Sequence, residues 1–294
     1  MSDYHIHLHP HAGLERPGDP TPGQYPAGHI EAYVEAAAGR GVTELGFTEH
    51  LYRCVEAEPV LGPFWERSDT PEDVALLSHA MVEADRTLSL DSYVEAVTEA
   101  KAAGLPVLLG LEVDFFPESI GAVSELLAPY PWDFLIGAVH WIGGWAIDAS
   151  HSVFEFDRRG VERSWDDYFA LETQLAASGA VDVLAHVDVI KKYGLRPQTD
   201  PSRWHHAVVA AAAASGTAVE VSSQGLRNPA EEVYPAPDFL GRFHEAGVPV
   251  TLASDAHYPE EAAWGHDRVV AAAREAGYTT RLRFDKRKAD EVPL

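Results

Sequence analysis

The chain holds one cysteine, Cys54, in 294 residues. A single thiol can close no intramolecular disulfide and cannot furnish a thiolate-rich zinc site, so Cys54 reads as a small core or lid residue in a reducing compartment. Basic residues are scarce too: 22 lysines and arginines stand against 46 aspartates and glutamates, a formal net charge of -24. A surface of that sign repels phosphate backbones, so no nucleic acid is expected as partner, although bound cations would invert the field inside one pocket. No apolar run approaches a membrane-spanning length, and the first 30 residues show no basic segment followed by an apolar one. The expectation is a soluble, cytoplasmic protein with no membrane partner. A hydrophobic content of 46% is ample for a large core.

What the sequence does contain is a recurring pair of signals. Short β-rich runs lie at residues 44–48, 106–112, 133–139, 181–186, 217–222 and 249–254, and with the opening SDYHIH they make seven. Between them stand HIEAYVEAAAGRG, SLDSYVEAVTEAKAAG, SWDDYFALETQLAASG, DPSRWHHAVVAAAAASG and PAPDFLGRFHEAG. Each begins near Asp, Ser or Pro and stops at Gly, the residues that start and end helices. Apolar strands alternating with amphipathic helices predict an α/β fold with a parallel sheet, and seven units favour a single barrel over residues 1–294. Residues 51–88, with Pro59, Pro63, Trp65 and Pro71, form a connection too long for an ordinary loop. They read as a lid with a short helix of its own. Residues 279–294 read as a tail of one edge strand and a charged, frayed end.

Side chains able to bind metal stand at the carboxyl ends of most of these strands: His5 and His7, Glu49 and His50, Glu112 and Asp114, His140, His186 and Asp188, Asp255 and His257. In a β/α barrel those ends converge on one face. A lone histidine is usually a satisfied core residue, but independent structural histidines have no reason to gather at one end. On a strand His5 and His7 share a face, so both imidazoles can reach one ion or two adjacent ones. Nitrogen and oxygen donors without thiolate suit zinc, manganese or iron, and six or more ligands exceed one tetrahedral site. Two or three divalent ions are implied. Pro10 interrupts the alternation before His11, so His9 and His11 need not repeat the first pair.

The segments DYHIHLHPH, FTEH, GLEVDFFP, IGAVHWIGGWAID, LAHVDVIKKYG and LASDAH, taken in order, resemble the polymerase-and-histidinol-phosphatase (PHP) superfamily. SSQGLRNPAEEVYP and the GGWAID run bring the chain nearer the histidinol-phosphate phosphatase branch of that superfamily. The resemblance spans residues 3–266 and implies a distorted (β/α)7 TIM-like barrel with a metal centre at the strand ends. By matching motif it implies the ligands His5, His7, His50, Glu112, His140, His186, Asp255 and His257. It places one more histidine six positions after the second of the opening pair, where this chain has Gly13. His11 fills the role if the loop is two residues shorter; His9 is the alternative.

The implied activity is a metal-dependent phosphomonoesterase that hydrolyses L-histidinol phosphate to L-histidinol and phosphate in histidine biosynthesis, a metal-bound hydroxide attacking phosphorus in line. Asp255 and His257 are candidates to carry the leaving group's proton while ligating. Arg227 of GLRN is the candidate phosphate clamp, because a guanidinium pairs with phosphate in bidentate fashion. Lys191 is a second candidate for the phosphate, with Lys192 beside it, and Arg158 and Arg159 rank below Arg227. Trp141, Trp145 and Asp148 offer an aromatic plane and a carboxylate for the cationic end of the substrate. Glu49 is expected to orient His50. His29, His79, His151, His205, His206, His244 and His266 are expected at the surface. Three other readings stay open: a PHP phosphoesterase for a nucleotide or other small phosphate ester, an amidohydrolase-like metal hydrolase, and a metal-binding protein without catalysis. Self-association into a homo-oligomer is also left open by the sequence.

Overall fold

In the computed structural model the described residues are 1–67 and 69–294. In chain order the strands are β1 (Ser2–Ile6), β2 (Glu44–Phe47), β3 (Val107–Leu109), β4 (Glu112–Asp114), β5 (Ile136–Ala138), β6 (Trp141–Ile142), β7 (Trp145–Ala146), β8 (Val183–Leu184), β9 (Ala218–Ser222), β10 (Val250–Ala253), β11 (Thr280–Asp285) and β12 (Lys288–Pro293). The helices are α1 (His29–Ala38), α2 (Glu58–Leu61), α3 (Glu72–Asp85), α4 (Leu90–Ala102), α5 (Ile120–Leu127), α6 (Glu155–Arg159), α7 (Val161–Ser178), α8 (Ser202–Ser215), α9 (Pro237–Glu245) and α10 (His266–Glu275). The helix signals in the sequence act as read. Ser89 caps α4 by accepting from the Ser92 amide, and α7 and α8 end at Gly179 and Gly216 with φ of 66° and 77°.

The strands form an α/β fold with two parallel sheets, β1-β2-β3 and β10-β9-β8-β5-β4. Isolated backbone bonds join them: Asp255 N–H to the His5 carbonyl (2.9 Å) and His7 N–H to the Ala256 carbonyl (2.7 Å) at one seam, Glu112 N–H to the Glu49 carbonyl (3.0 Å) at the other. The run 106–112, expected as one strand, is two. Asp133 ends β3 by accepting from the Leu109 amide (2.9 Å) and donating its own amide to the Leu109 carbonyl (2.8 Å). The chain then steps across Gly110 and Leu111, and β4 pairs with β5 instead of β2. A methyl on Gly110 or Gly46 would lie 2.6 or 2.5 Å from the Phe134 ring, so both glycines make room for that side chain.

Two further expectations are corrected. Residues 51–88 carry three helical turns, α2 and the 14-residue α3, not one short helix. Leu51, Cys54, Phe64, Val74 and Val82 are buried there, so the segment is packed core at its base. It docks on the β6–β7 ribbon: Ser78 donates to the Gly144 carbonyl (2.6 Å), and a Cβ on Gly144 would come 2.7 Å from Trp65. The tail is a hairpin of two strands rather than one strand with a frayed end. Leu282 and Phe284 join Tyr4, Leu108, Phe134, Ile136 and Val183 in a second apolar cluster, which supplies the burial that the charged sequence concealed. No described helix is long and apolar enough to cross a membrane.

Candidate metal centre

Each strand end delivers its share. His5 lies on β1 with His7 just beyond, Glu112 opens β4, and His50, His140, His186, Asp255 and His257 follow β2, β5, β8 and β10. All are buried except His257, which is 16% exposed. His186 and Asp255 hold positive φ, 22° and 54°, a strained backbone that aims both side chains inward.

The donor atoms crowd together. His5 Nε2 lies 3.1 Å from His7 Nε2, and 3.4 and 3.6 Å from Glu112 Oε2 and Asp255 Oδ1. His186 Nε2 and His140 Nε2 stand 3.0 and 3.4 Å from Glu112 Oε1, and His50 Nδ1 stands 2.7 Å from Glu112 Oε2. Two nitrogens on one tetrahedral ion at 2.0–2.1 Å are separated by about 3.3 Å, so this spacing is that of shared ligation. Four triads fit it: His5, His7 and Asp255; His5, Glu112 and His186; His50, Glu112 and His140; and His7, His50 and His257. Glu112 Oε2, Asp255 Oδ1, His257 Nε2 and both His50 nitrogens are buried without an aligned hydrogen bond. Such orphaned donors are costly unless an ion completes them, so the residues fit a multinuclear metal site.

Around the cluster, carboxylates fix the rings from behind. Glu220 on β9 takes His5 Nδ1 at 2.9 Å and accepts from the His186 amide at 2.9 Å. Asp114 on β4 holds His140 Nδ1 at 2.9 Å, and Gln224 donates to Asp255 Oδ2. Ligating histidines typically carry such partners. Glu220 and Gln224 were missed in the sequence, although one charged residue inside the apolar AVEVS run is a usable signal. Glu49 does not orient His50. It accepts from the Leu8 and His9 amides (2.7 and 3.1 Å) and pairs with the buried Arg53 (3.3 Å). Burial opposes ionisation of Glu112, but His50, His5 and His140 outweigh it and hold its carboxyl well below the usual range. Burial, with His7 nearby, holds His257 well below the ordinary imidazole value, leaving it a neutral donor atom.

The two remaining opening histidines part company. His9 is fully buried away from the triads, stacked on His29 with ring centres 5.5 Å apart, and burial pushes its pKa down to about 4. His11 is 35% exposed, with its ring 5.1 Å from His50 and 5.0 Å from His257.

Above the cluster lie two adjoining cavities. One of about 280 Å³ is bordered by His11, His50, His140, Asp148, Lys192, Arg227, Asp255 and His257. The other, of about 350 Å³, adds Tyr52, Met81, Asp85, Trp141 and His151. Arg227 borders the first cavity, its guanidinium held by Glu261 (3.0 Å) and the Ser254 carbonyl (2.7 Å). Asp148 borders both cavities, but its carboxylate is paired with Lys192 at 3.2 Å. Lys191 is misassigned: it is fully buried and locked to Asp188 and Glu232, both at 2.7 Å, while its neighbour Lys192 faces the cavity. Trp145 is also misassigned. It is fully buried, edge-on to Phe156, with Nε1 donating to the Ser152 carbonyl (3.0 Å). Arg158 and Arg159 pair with Glu155, and Arg158 also with Asp73. His205 and His266, expected at the surface, are buried.

This arrangement belongs to a known class. The chain is a member of the PHP domain family, whose model matches residues 26–224. Within curated proteins it is 34% identical over 257 residues to the "Probable histidinol-phosphatase" of Deinococcus radiodurans, covering 87% of this chain and 90% of that one. Its fold matches the histidinol phosphate phosphatase of Lactococcus lactis subsp. lactis, solved with zinc, L-histidinol and phosphate. That match has a TM-score of 0.72 at 20% identity and covers 98% of each chain.

Proposed function

We propose that this chain is a metal-dependent histidinol-phosphate phosphatase: a phosphoric monoester hydrolase that releases L-histidinol and phosphate. The observation that carries it is the convergence of His5, His7, His50, Glu112, His140, His186, Asp255 and His257 beneath a cavity rimmed by Arg227. The 34% identity to the Deinococcus radiodurans relative selects the substrate. In this reading the two bridged sheets act as one distorted barrel, seven-stranded when β3 and β4, the two halves of the run 106–112, count as one, and His11 rather than His9 completes the ligand set of two or three ions. Zinc, manganese and iron all suit these donors. Bound there, divalent ions supply positive charge against the phosphoryl oxygens and lower the pKa of water toward neutrality.

The chain's own groups do the rest. Arg227 places a guanidinium against the equatorial oxygens, whose charge grows in the transition state. Asp255, kept ionised by His5 and His7 against the cost of burial, accepts the proton of the attacking water. That proton returns to the leaving alkoxide through Asp255 or its neighbour His257. The second cavity, where Trp141 and Asp148 border it, receives the imidazole and amine. A cytoplasmic setting agrees with the buried, unpaired Cys54.

Phosphate release by purified protein supplied with manganese, iron or zinc is the test, with L-histidinol phosphate set beside nucleotides and sugar phosphates. Turnover of histidinol phosphate at least about 100-fold above the others in kcat/KM is expected. Preference for a nucleotide would overturn the substrate and leave the reaction class standing.

A further inference from the structure

Asp85 is the last residue of α3, in the insertion, far along the chain from any ligand, and it is 2% exposed. Its carboxylate gathers four groups from two separate segments. Oδ1 accepts from the Ala12 amide at 2.6 Å and faces Arg53 Nε at 4.0 Å. Oδ2 meets His11 Nδ1 at 3.0 Å and accepts from the Tyr52 hydroxyl at 2.6 Å. A carboxylate between those donors can only accept, so His11 carries a proton on Nδ1, which leaves Nε2 as the ring nitrogen able to ligate an ion. The His11 ring stands about equally far from His50 and His257, two of the three members of the His7, His50 and His257 triad. His11 is outside the four triads themselves, but an ion held by His7, His50 and His257 would have room for a further ligand, and the His11 ring is beside two of the three.

We infer that Asp85 is a positioning residue: it fixes the tautomer and ring direction of His11, so that the inserted helix α3 completes one metal position of the centre. The insertion is then part of the active site's construction as well as its cover. Arg53 and Tyr52 keep the carboxylate in place, and the Ala12 amide ties the first loop to it. The inference rests on the metal reading above. It goes further by assigning a role to a residue outside the strand ends and by linking occupancy of one ion to the docking of α3.

The test counts ions and does not depend on the substrate. Wild type, Asp85→Asn, His11→Ala and the double variant are loaded with zinc and measured by elemental analysis and titration calorimetry; the cobalt-substituted forms are compared by visible absorption. Loss of an orienting partner typically weakens a metal 10–100-fold. Asp85→Asn should therefore weaken one ion by that factor and alter the cobalt spectrum, leaving the other ions bound. His11→Ala should weaken the same ion, and Asp85→Asn should add nothing in its presence, because both act through one ring. Full-affinity binding in Asp85→Asn, or additive losses in the double variant, would overturn the inference. A wild type that binds no ion would instead overturn the metal reading itself. Should Asp85→Asn not fold, nitrogen-15 histidine labelling of the wild type replaces it: a low-field Nδ1–H resonance must be present and must vanish in His11→Ala. Its absence would equally refute the assignment.

Discussion

Asp255 puts its two oxygens to different uses. Oδ2 is taken by the Gln224 amide, and Oδ1 points at His5 and His7, 3.6 and 3.3 Å away. Asp255→Asn keeps the shape and removes the charge, so kcat should fall by about 10²-fold or more, with metal content reduced in the same preparation. Rates measured beside elemental analysis check both. Arg227→Ala should instead spare the ions and cost about 10–100-fold in kcat/KM, the worth of a hydrogen bond to a charged group. Inhibition by inorganic phosphate should weaken in parallel, which distinguishes loss of the clamp from loss of the fold. His205 offers a different reading of single-residue physics. It is stacked on Phe239 at 3.9 Å, and burial brings its pKa down from 6.5 to about 4. The unfolded chain therefore takes up a proton between those values that the folded one refuses, and stability falls as pH drops from 6.5 toward 4. Between pH 7 and 5 this single group costs at most about 2 kcal/mol. Urea melts of chelator-treated protein at the two pH values should show that His205→Phe is less acid-sensitive than wild type.

The elements show which parts of the fold a linear sequence exposes. Helices and most strands were legible because each is specified locally, by apolar runs and by caps such as Ser89 and stops such as Gly179. The same holds for the side chains gathered at the strand ends, since a histidine after an apolar run is visible without knowing its partners. The break at Gly110 was not legible, because it is imposed by Asp133 and Phe134 from another strand connection. Lys191 and Lys192 were inseparable for a similar reason: they are neighbours on one tight turn, and only packing decides which is buried. The tail hairpin hid behind a Lys286-Arg287 turn that lacks the usual glycine or asparagine, although both residues adopt positive φ. Once formed, that hairpin lays Phe284 on Phe134, ring centres 5.5 Å apart. Phe284→Ala should then cost about 3–5 kcal/mol, the usual range for a buried aromatic, where a frayed end would cost nothing measurable. Chemical denaturation of the metal-free protein decides between them.

Across the whole molecule the strongest coupling runs between metal and stability. A net charge of -24 already strains the compact state, and the centre adds buried Glu112 and Asp255 with ring nitrogens that lack hydrogen-bond partners. Those costs fall on the folded chain alone, because unfolding dissolves the site, returns every group to water and disperses the members of four overlapping triads. Ions that bind the folded state and not the unfolded one therefore stabilise by an amount that grows with the logarithm of their free concentration, about 4 kcal/mol at a thousand times Kd. Chelation should lower the melting temperature by several degrees, and titrating zinc or manganese back should raise it progressively. Scanning calorimetry at graded metal concentrations measures this directly. Because ions held by these triads would join β1, β2, β4, β5, β8 and β10 at one point, their removal should loosen both sheet seams together. Amide exchange at His7, Glu112 and Asp255 should rise in the chelated protein, while exchange within the distant β11–β12 hairpin stays as it was.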